Sequence, residues 1–289
     1  MSGVVGGLRF TQRQVTLNYR VDGQGPERLL CIHGVGSSLQ AWEGVVERLT
    51  PRYTMLTFDL RGHGESTRLK GRYEIDDMVA ETLALADAVG FTRFNLAGFS
   101  LGGLIAQRLT LLAPERVQRL VLLATVAGRN VEERQRVAQR LEALRNGEPG
   151  SHHDASLSRW LTEEFQRNHP AVIARLRERN AKNDPGCYAA AYRVLAESDF
   201  GDQLQRITCP TLIATGEDDA GSNPRMASFM HERISSSELY VLPGLRHSLL
   251  TEAPALVATM IDGFISGEKG DAGRALAAMT QTRAKENQG

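Results

Sequence analysis

The chain has 289 residues, 42% of them hydrophobic, and its 34 Lys and Arg residues balance 34 Asp and Glu residues. This length and apolar content predict one large globular domain, or a domain that carries an insertion. The balanced charge argues against nucleic acid and anionic membranes as partners, and no apolar run reaches the roughly 18–20 residues that a membrane span requires.

Strands and helices are predicted in alternation as far as Thr125. The strands are expected at residues 8–12, 15–21, 28–33, 53–59, 93–97 and 117–124, and the helices at residues 41–49, 75–89 and 103–109. The first two strands are expected to form an antiparallel pair. In the helix at 75–89, Ile75, Met78 and Val79 recur with a helical period. Alternation of this kind predicts parallel βαβ units and an α/β fold.

The pattern changes after Thr125. Charged helical segments follow at residues 131–145, 157–167, 171–181 and 188–198, with breaks at 147–150 and 183–186. Alternation resumes with strands at 211–215 and 238–242 and helices at 224–233 and 255–265. We therefore predict a core formed by residues 1–125 and 208–266, a helical lid inserted at 126–207, and a polar tail at 267–289. Within the tail, residues 274–280 form either a short helix or a frayed end.

The segment Gly98-Phe99-Ser100-Leu101-Gly102 lies between a predicted buried strand and a predicted helix. A serine at such a junction occupies a sharp turn that exposes its hydroxyl at the edge of the sheet. The glycines are needed because side chains there would collide with the neighbouring strand and helix. The adjacent helix N-terminus favours negative charge that develops beside the serine.

A serine nucleophile requires a base, and the base requires a group that orients it. Candidates are sought beyond the carboxyl ends of the late strands, where the chemistry of parallel sheets gathers. One strand is followed by Gly216-Glu217-Asp218-Asp219, and the next leads to His247. Either Asp218 or Asp219 can act as the orienting acid. The order Ser, Asp, His is that of the α/β-hydrolases.

Over residues 8–265 the chain resembles the α/β-hydrolase family. The motifs that carry the resemblance are the Ser100 turn, His33-Gly34-Val35-Gly36, Asp59-Leu60-Arg61-Gly62-His63-Gly64-Glu65-Ser66, Gly216-Glu217-Asp218-Asp219, and Pro243-Gly244 followed by His247. The resemblance implies a mostly parallel eight-stranded sheet flanked by helices, with an inserted helical lid.

The resemblance also implies roles for individual residues. Ser100 would be the nucleophile and His247 the general base and acid. The family's Gly-x-x-Asp spacing favours Asp219 over Asp218 as the orienting group. The backbone N–H groups of Val35 and Leu101 would form the oxyanion hole. His33 would shape that loop, and the loop Asp59–Ser66 would be structural.

Within the family, the chain looks most like 3-oxoadipate enol-lactonase-like hydrolases and small carboxylesterases. A serine at the turn predicts an acyl-serine intermediate and a carboxylic ester or lactone as substrate. The alternatives are a C–C bond hydrolase of ring-cleavage products, a non-catalytic small-molecule-binding relative, and a cofactor-free oxygenase or perhydrolase. Ser248 follows the histidine where ring-cleavage C–C hydrolases often have tryptophan, which argues against the first alternative.

Substrate contacts are predicted at Gly34, Trp160 and Arg246. Arg246 is expected either to bind an acidic group of the substrate or to point to solvent. Three basic residues of the lid, Arg159, Arg175 and Arg193, are expected either to meet a dicarboxylate or to be solvated.

No metal or organic cofactor is expected. The three cysteines are widely spaced, which fits neither a disulfide framework nor a metal site. His152-His153-Asp154 is predicted to be a solvated loop of the lid because its spacing does not suit a metal. The first seven residues resemble no signal peptide. The expectation is a cytoplasmic monomer or homodimer that acts on a small ester or lactone.

Overall fold

The structure is a computed structural model that describes residues 8–12, 14–146 and 152–268. Eight strands form one sheet: β1 Leu8–Gln12, β2 Val15–Asp22, β3 Glu27–Ile32, β4 Tyr53–Phe58, β5 Phe94–Phe99, β6 Val117–Leu123, β7 Thr211–Gly216 and β8 Ser237–Leu242. Their order is β1-β2-β4-β3-β5-β6-β7-β8. Strand β2 pairs antiparallel with β1 and β4, and every other pairing is parallel. The predicted eight-stranded, mostly parallel sheet is confirmed.

Eleven α-helices occur in the described residues: α1 Glu43–Leu49, α2 Ile75–Ala88, α3 Leu101–Leu112, α4 Val131–Asn146, α5 His152–Trp160, α6 Glu163–Asn168, α7 Pro170–Ala181, α8 Pro185–Glu197, α9 Pro224–Arg233, α10 Leu249–Glu252 and α11 Pro254–Ser266. None of these helices combines the length and the apolar character that crossing a bilayer demands. The predicted helix or frayed end at 274–280 and the predicted break at 147–150 lie outside the described residues.

The sheet separates two apolar cores because successive side chains of a strand point to opposite faces. In β3, Leu30 and Ile32 pack into a cluster with residues of α2, α3 and α9. Leu29 and Cys31, one position along, pack into a second cluster with residues of α1 and α11. These strand residues are almost fully buried. The arrangement explains why the parallel strands are continuously apolar.

Five helices, α4–α8, lie between β6 and β7, inside the segment 126–207, which we call the insertion. The insertion has an apolar cluster of its own around Leu157, Leu161 and Ile173. Helix α8 instead packs its residues Cys187 and Ala191 into the cluster that covers α3. The insertion is therefore a small helical layer that is anchored on the sheet domain through its last helix.

The single helix predicted at 157–167 is wrong, because the structure divides it into α5 and α6. Thr162 caps α6, its Oγ1 accepting a hydrogen bond from the N–H of Phe165 at 3.2 Å. The N–H and the hydroxyl of Thr162 in turn donate to the carboxylate of Glu252, at 2.9 and 2.7 Å. These bonds to a distant residue of the core hold the backbone out of helical geometry at this point.

The solvated loop predicted for His152-His153-Asp154 is also wrong. These residues form the first turn of α5. Within the described ranges, no group of three or more His, Cys, Asp or Glu side chains is arranged to hold a metal ion.

Candidate active site

Ser100 lies between β5 and α3 with an unusual backbone conformation. Its φ of 55° and ψ of −116° are strained for a residue that carries a side chain. The turn is held on both sides: the N–H of Ser100 donates to the carbonyl of Leu123 at 2.9 Å, and the hydroxyl of Thr125 donates to the carbonyl of Ser100 at 2.8 Å. The strain is therefore maintained by the end of β6 and by Thr125 just after it, as expected for a serine that the turn presents to a pocket.

Two glycines allow this turn to fit between β3 and α3. A Cβ on Gly98 would lie 2.3 Å from the carbonyl oxygen of Gly102. A Cβ on Gly102 would lie 2.2 Å from the carbonyl oxygen of Ile32. Both obstacles are backbone atoms, which cannot move aside cheaply. The steric reason predicted for these glycines is confirmed.

His247 and Asp219 meet beyond the ends of β8 and β7. The Nδ1 atom of His247 lies 2.7 Å from Oδ2 of Asp219. The other carboxylate oxygen accepts hydrogen bonds from the N–H groups of Gly221 and Ser222, at 2.8 and 3.0 Å. Asp218 is exposed, whereas Asp219 is buried. The structure thus pairs the histidine with Asp219.

The carboxyl of Asp219 is held in its charged form. Burial by itself raises its pKa, but the charge and hydrogen bond of His247 and the two backbone N–H groups outweigh burial, so the net pKa is lowered. A carboxylate bound to Nδ1 keeps the proton on that nitrogen and leaves Nε2 as the basic atom. The ring of His247 packs against Phe99, with centroids 5.1 Å apart.

Ser100, Asp219 and His247 line one pocket of about 940 Å³. Gly34 and Trp160, two of the predicted substrate contacts, line it as well. The ring of Trp160 lies 6.2 Å from that of His247. Most of the remaining wall comes from α4, α5, α7 and α8 of the insertion. The pocket therefore lies between the carboxyl edge of the sheet and the inserted helices.

Arg246 does not belong to this pocket. Its Nη1 donates hydrogen bonds to the carbonyls of Ser158 and Leu161, at 2.6 and 3.0 Å. The arginine therefore fastens the end of α5 to the loop after β8, and its side chain is half-buried. Its contact with a substrate stays a prediction. Arg159 lines the pocket, whereas Arg193 bonds the carbonyl of Tyr73 at 3.3 Å and Arg175 is exposed.

The loop Gly34–Gly36 approaches the Ser100 turn closely. A Cβ on Gly34 would lie 2.9 Å from the Cβ of Ser100. Within the described part of the chain, the N–H groups of Val35 and Leu101 have no hydrogen-bond acceptor. For Leu101 this follows from its place as the first residue of α3. Two backbone donors are thus available beside the serine.

His63 and Asn183 hold the same loop from two sides, a role that our sequence analysis missed. The N–H of Gly36 donates to Nε2 of His63 at 3.0 Å. The carbonyl of Gly36 accepts from Nδ2 of Asn183 at 3.0 Å. His33 lies beneath, its Nε2 accepting from the N–H of Leu60. No local pattern marks His63 as the partner of a loop 27 residues away.

The burial of His63 predicts a loss of stability in acid. Burial is the main effect, and it lowers the pKa of His63 from 6.5 to about 4. The charge of Arg179 also lowers this pKa, whereas the bond to the Arg61 carbonyl raises it. The unfolded chain therefore binds a proton between these pH values that the folded chain does not. Because of this group, the free energy of unfolding is about 3 kcal/mol lower at pH 4 than above pH 6.5. Urea unfolding at both pH values measures the loss.

The matched variant for this measurement is His63→Gln, whose amide oxygen can accept from Gly36 but does not titrate. It should lose less stability between pH 6.5 and 4 than the parent protein. An equal loss in both proteins would show that His63 does not titrate with folding.

The chain is similar to known hydrolases in both sequence and structure. Residues 27–254 match a family model described as alpha/beta hydrolase fold. The chain is 32% identical over 252 residues to (E)-2-((N-methylformamido)methylene)succinate hydrolase of Acinetobacter baylyi, covering 86% of this chain and 94% of the relative. It is 30% identical over 234 residues to 3-oxoadipate enol-lactonase 2 of the same organism, and the match covers 81% of this chain and 87% of the relative. An enol-lactonase structure from Burkholderia xenovorans matches with a TM-score of 0.82 and 25% identity, covering 87% of this chain and 97% of that chain.

Proposed function

The chain belongs to the α/β-hydrolase family, and from this premise we propose that it is a serine hydrolase of carboxylic esters or lactones that works through an acyl-serine intermediate. The relatives named above as hydrolases and enol-lactonases support a hydrolase that acts on an ester or lactone. The observation that carries the proposal is the 2.7 Å contact between His247 and Asp219 at the pocket that the strained Ser100 also lines.

In the proposed reaction, the hydroxyl of Ser100 attacks the carbonyl carbon of the substrate while Nε2 of His247 takes its proton. Asp219 keeps the other nitrogen of the ring protonated and stabilises the imidazolium. The tetrahedral oxyanion accepts hydrogen bonds from the N–H groups of Val35 and Leu101. His247 then gives its proton to the leaving alcohol or enolate. A water molecule, activated by the same histidine, releases the acid and restores the serine.

We also propose that the insertion, residues 126–207, acts as a lid over this reaction. Its helices supply most of the pocket wall outside the sheet edge. Trp160 and Gly34 would contact the substrate, since both line the pocket. Excluding water from such a site strengthens the electrostatic contacts to the oxyanion. The bond from Asn183 to the carbonyl of Gly36 would keep the oxyanion loop and the lid in register.

The proposal is tested by labelling the full chain with a fluorophosphonate and locating the modified residue by mass spectrometry. We expect one equivalent of label on Ser100 in folded protein and none in Ser100→Ala. The matched control is Ser37→Ala, because Ser37 also lines the pocket and should leave labelling unchanged. Folded protein that takes up no label, or takes it up elsewhere, would overturn the assignment.

A further inference from the structure

The pocket contains more positive than negative charge. Five arginines line it: Arg129, Arg136, Arg140, Arg159 and Arg179. The two carboxylates that line it, Glu133 and Asp219, are already engaged. Glu133 accepts from Nε of Arg225 at 2.9 Å, and Asp219 pairs with His247. The pocket arginines are therefore not neutralised by acidic groups of the pocket itself.

Two of these five arginines need no bound anion, because one is hydrogen-bonded within the fold and the other is exposed. Arg129 donates from its guanidinium to the carbonyls of Ser198 and Leu195, at 3.0 and 2.7 Å, and so fixes the end of α8. Arg136 is exposed on α4. The surplus charge within the pocket is thus carried by Arg140, Arg159 and Arg179.

Arg179, on α7, has no partner in the described part of the chain. Its guanidinium makes no hydrogen bond or ion pair there, and its Nε is buried. Burial alone lowers its pKa to about 10, so the group is still a cation at neutral pH. Its charge acts on His33 and His63, which lie beneath the oxyanion loop. A half-buried cation whose Nε is shielded from water, and which has no counter-ion among the described residues, is costly unless a bound anion compensates it.

Arg159 and Arg140 form a second positive group. The Nη2 atom of Arg159 donates to the hydroxyl of Ser156 at 2.8 Å, but its Nε is buried without a partner. Burial and the charge of Arg140 both lower the pKa of Arg159. Two arginines that line one pocket and share none of its carboxylates also favour an anion there.

We propose that Arg179 binds a free carboxylate of the substrate, with Arg159 and Arg140 adding positive charge to the same pocket. This inference rests on the proposed function and specifies its substrate class: an ester or lactone that carries a carboxylate in addition to its reacting carbonyl. A carboxylate suits the site because its two oxygens accept parallel hydrogen bonds from one guanidinium. The large pocket volume leaves room for both groups of such a molecule.

The experiment compares two substrates that differ in one charge, mono-4-nitrophenyl adipate and its methyl ester. The parent protein should have a kcat/KM at least about tenfold higher for the acid. Arg179→Met should lower kcat/KM for the acid by about 10- to 100-fold, the range of a lost hydrogen bond to a charged group. Turnover of the methyl ester should change by less than about threefold, because the neutral ester makes no such bond.

The matched control is Arg175→Met, one turn earlier on α7 and exposed, which should alter neither substrate. Arg179→Lys keeps the charge without the paired donors and should raise KM for the acid while kcat persists. If Arg179→Met does not fold, Arg179→Lys takes its place in the comparison of the two substrates. Equal losses on acid and methyl ester, or no preference for the acid in the parent protein, would overturn the inference.

Two further measurements separate the possible outcomes. Free adipate should inhibit methyl-ester turnover competitively, and less in Arg179→Met. Stronger inhibition by inorganic phosphate than by adipate would contradict carboxylate selection. Fluorophosphonate labelling of Ser100 should be the same in parent and variant. Failure of the inference therefore leaves Ser100 labelling and methyl-ester turnover of the parent protein intact, whereas failure of the proposed hydrolase function abolishes both in the parent protein.

Discussion

Replacing Ser100 by alanine is expected to lower kcat for ester hydrolysis by about 10⁵- to 10⁶-fold, since loss of a catalytic serine removes the covalent route entirely. The hydroxyl is the only part of the side chain that the variant removes. The 2.9 Å backbone bond to Leu123 and the bond from Thr125 do not involve it. We therefore expect an unchanged fold and a substrate affinity close to that of the parent protein. Steady-state kinetics with 4-nitrophenyl esters and equilibrium binding of a product acid measure the two effects.

Ser100→Gly is a useful companion to this variant. Glycine tolerates the φ of 55° that strains serine, so Ser100→Gly should be as inactive as Ser100→Ala but more stable by about 1–3 kcal/mol. Residual activity above about one per cent in either purified variant would mean that another group performs the attack.

Replacing Asp219 by asparagine is expected to lower kcat by about 10⁴-fold. The amide nitrogen would face Nδ1 of His247 as a donor and so favour the tautomer that protonates Nε2. A protonated Nε2 cannot take the proton of Ser100. The remaining amide oxygen can still accept from Gly221 and Ser222, so the loop after β7 should stay folded. Stopped-flow or steady-state assays at several pH values measure the loss.

The neighbouring Asp218→Asn is the control, because Asp218 has the same chemistry but is exposed. It should keep kcat within about twofold of the parent. If Asp218→Asn, and not Asp219→Asn, abolished activity, the orienting acid would be Asp218 and the 2.7 Å contact in the structure would be irrelevant to catalysis.

Several features of the site followed from local sequence. The strand–helix alternation predicted the parallel sheet, and the glycines around Ser100 predicted a turn that only small residues permit. The rule that chemistry gathers where parallel strands end located His247 and the pair Asp218 and Asp219. The choice of Asp219 came from the resemblance to the family. Each of these inferences depends on periodicity, turn composition or chain order, which short-range interactions dictate.

Other features depend on contacts between residues far apart in the chain. Glu252 divides a helix that local periodicity predicts to be continuous, because its carboxylate captures Thr162. Arg246 was expected either to bind an acidic group of the substrate or to point to solvent, but its guanidinium donates to two carbonyls of the insertion. The sequence did not distinguish Arg179, since a solvated arginine looks the same in a helical sequence as a half-buried one that has no partner among the described residues.

The sequence by itself determined the α/β architecture, the turn at Ser100 and the strand ends that carry His247 and Asp219. The reason is that backbone preferences and apolar periodicity act over a few residues. Only the tertiary structure decided which charges meet a partner and which face the pocket. These contacts depend on long-range packing of the insertion against the sheet. That packing places Arg179 in the pocket wall.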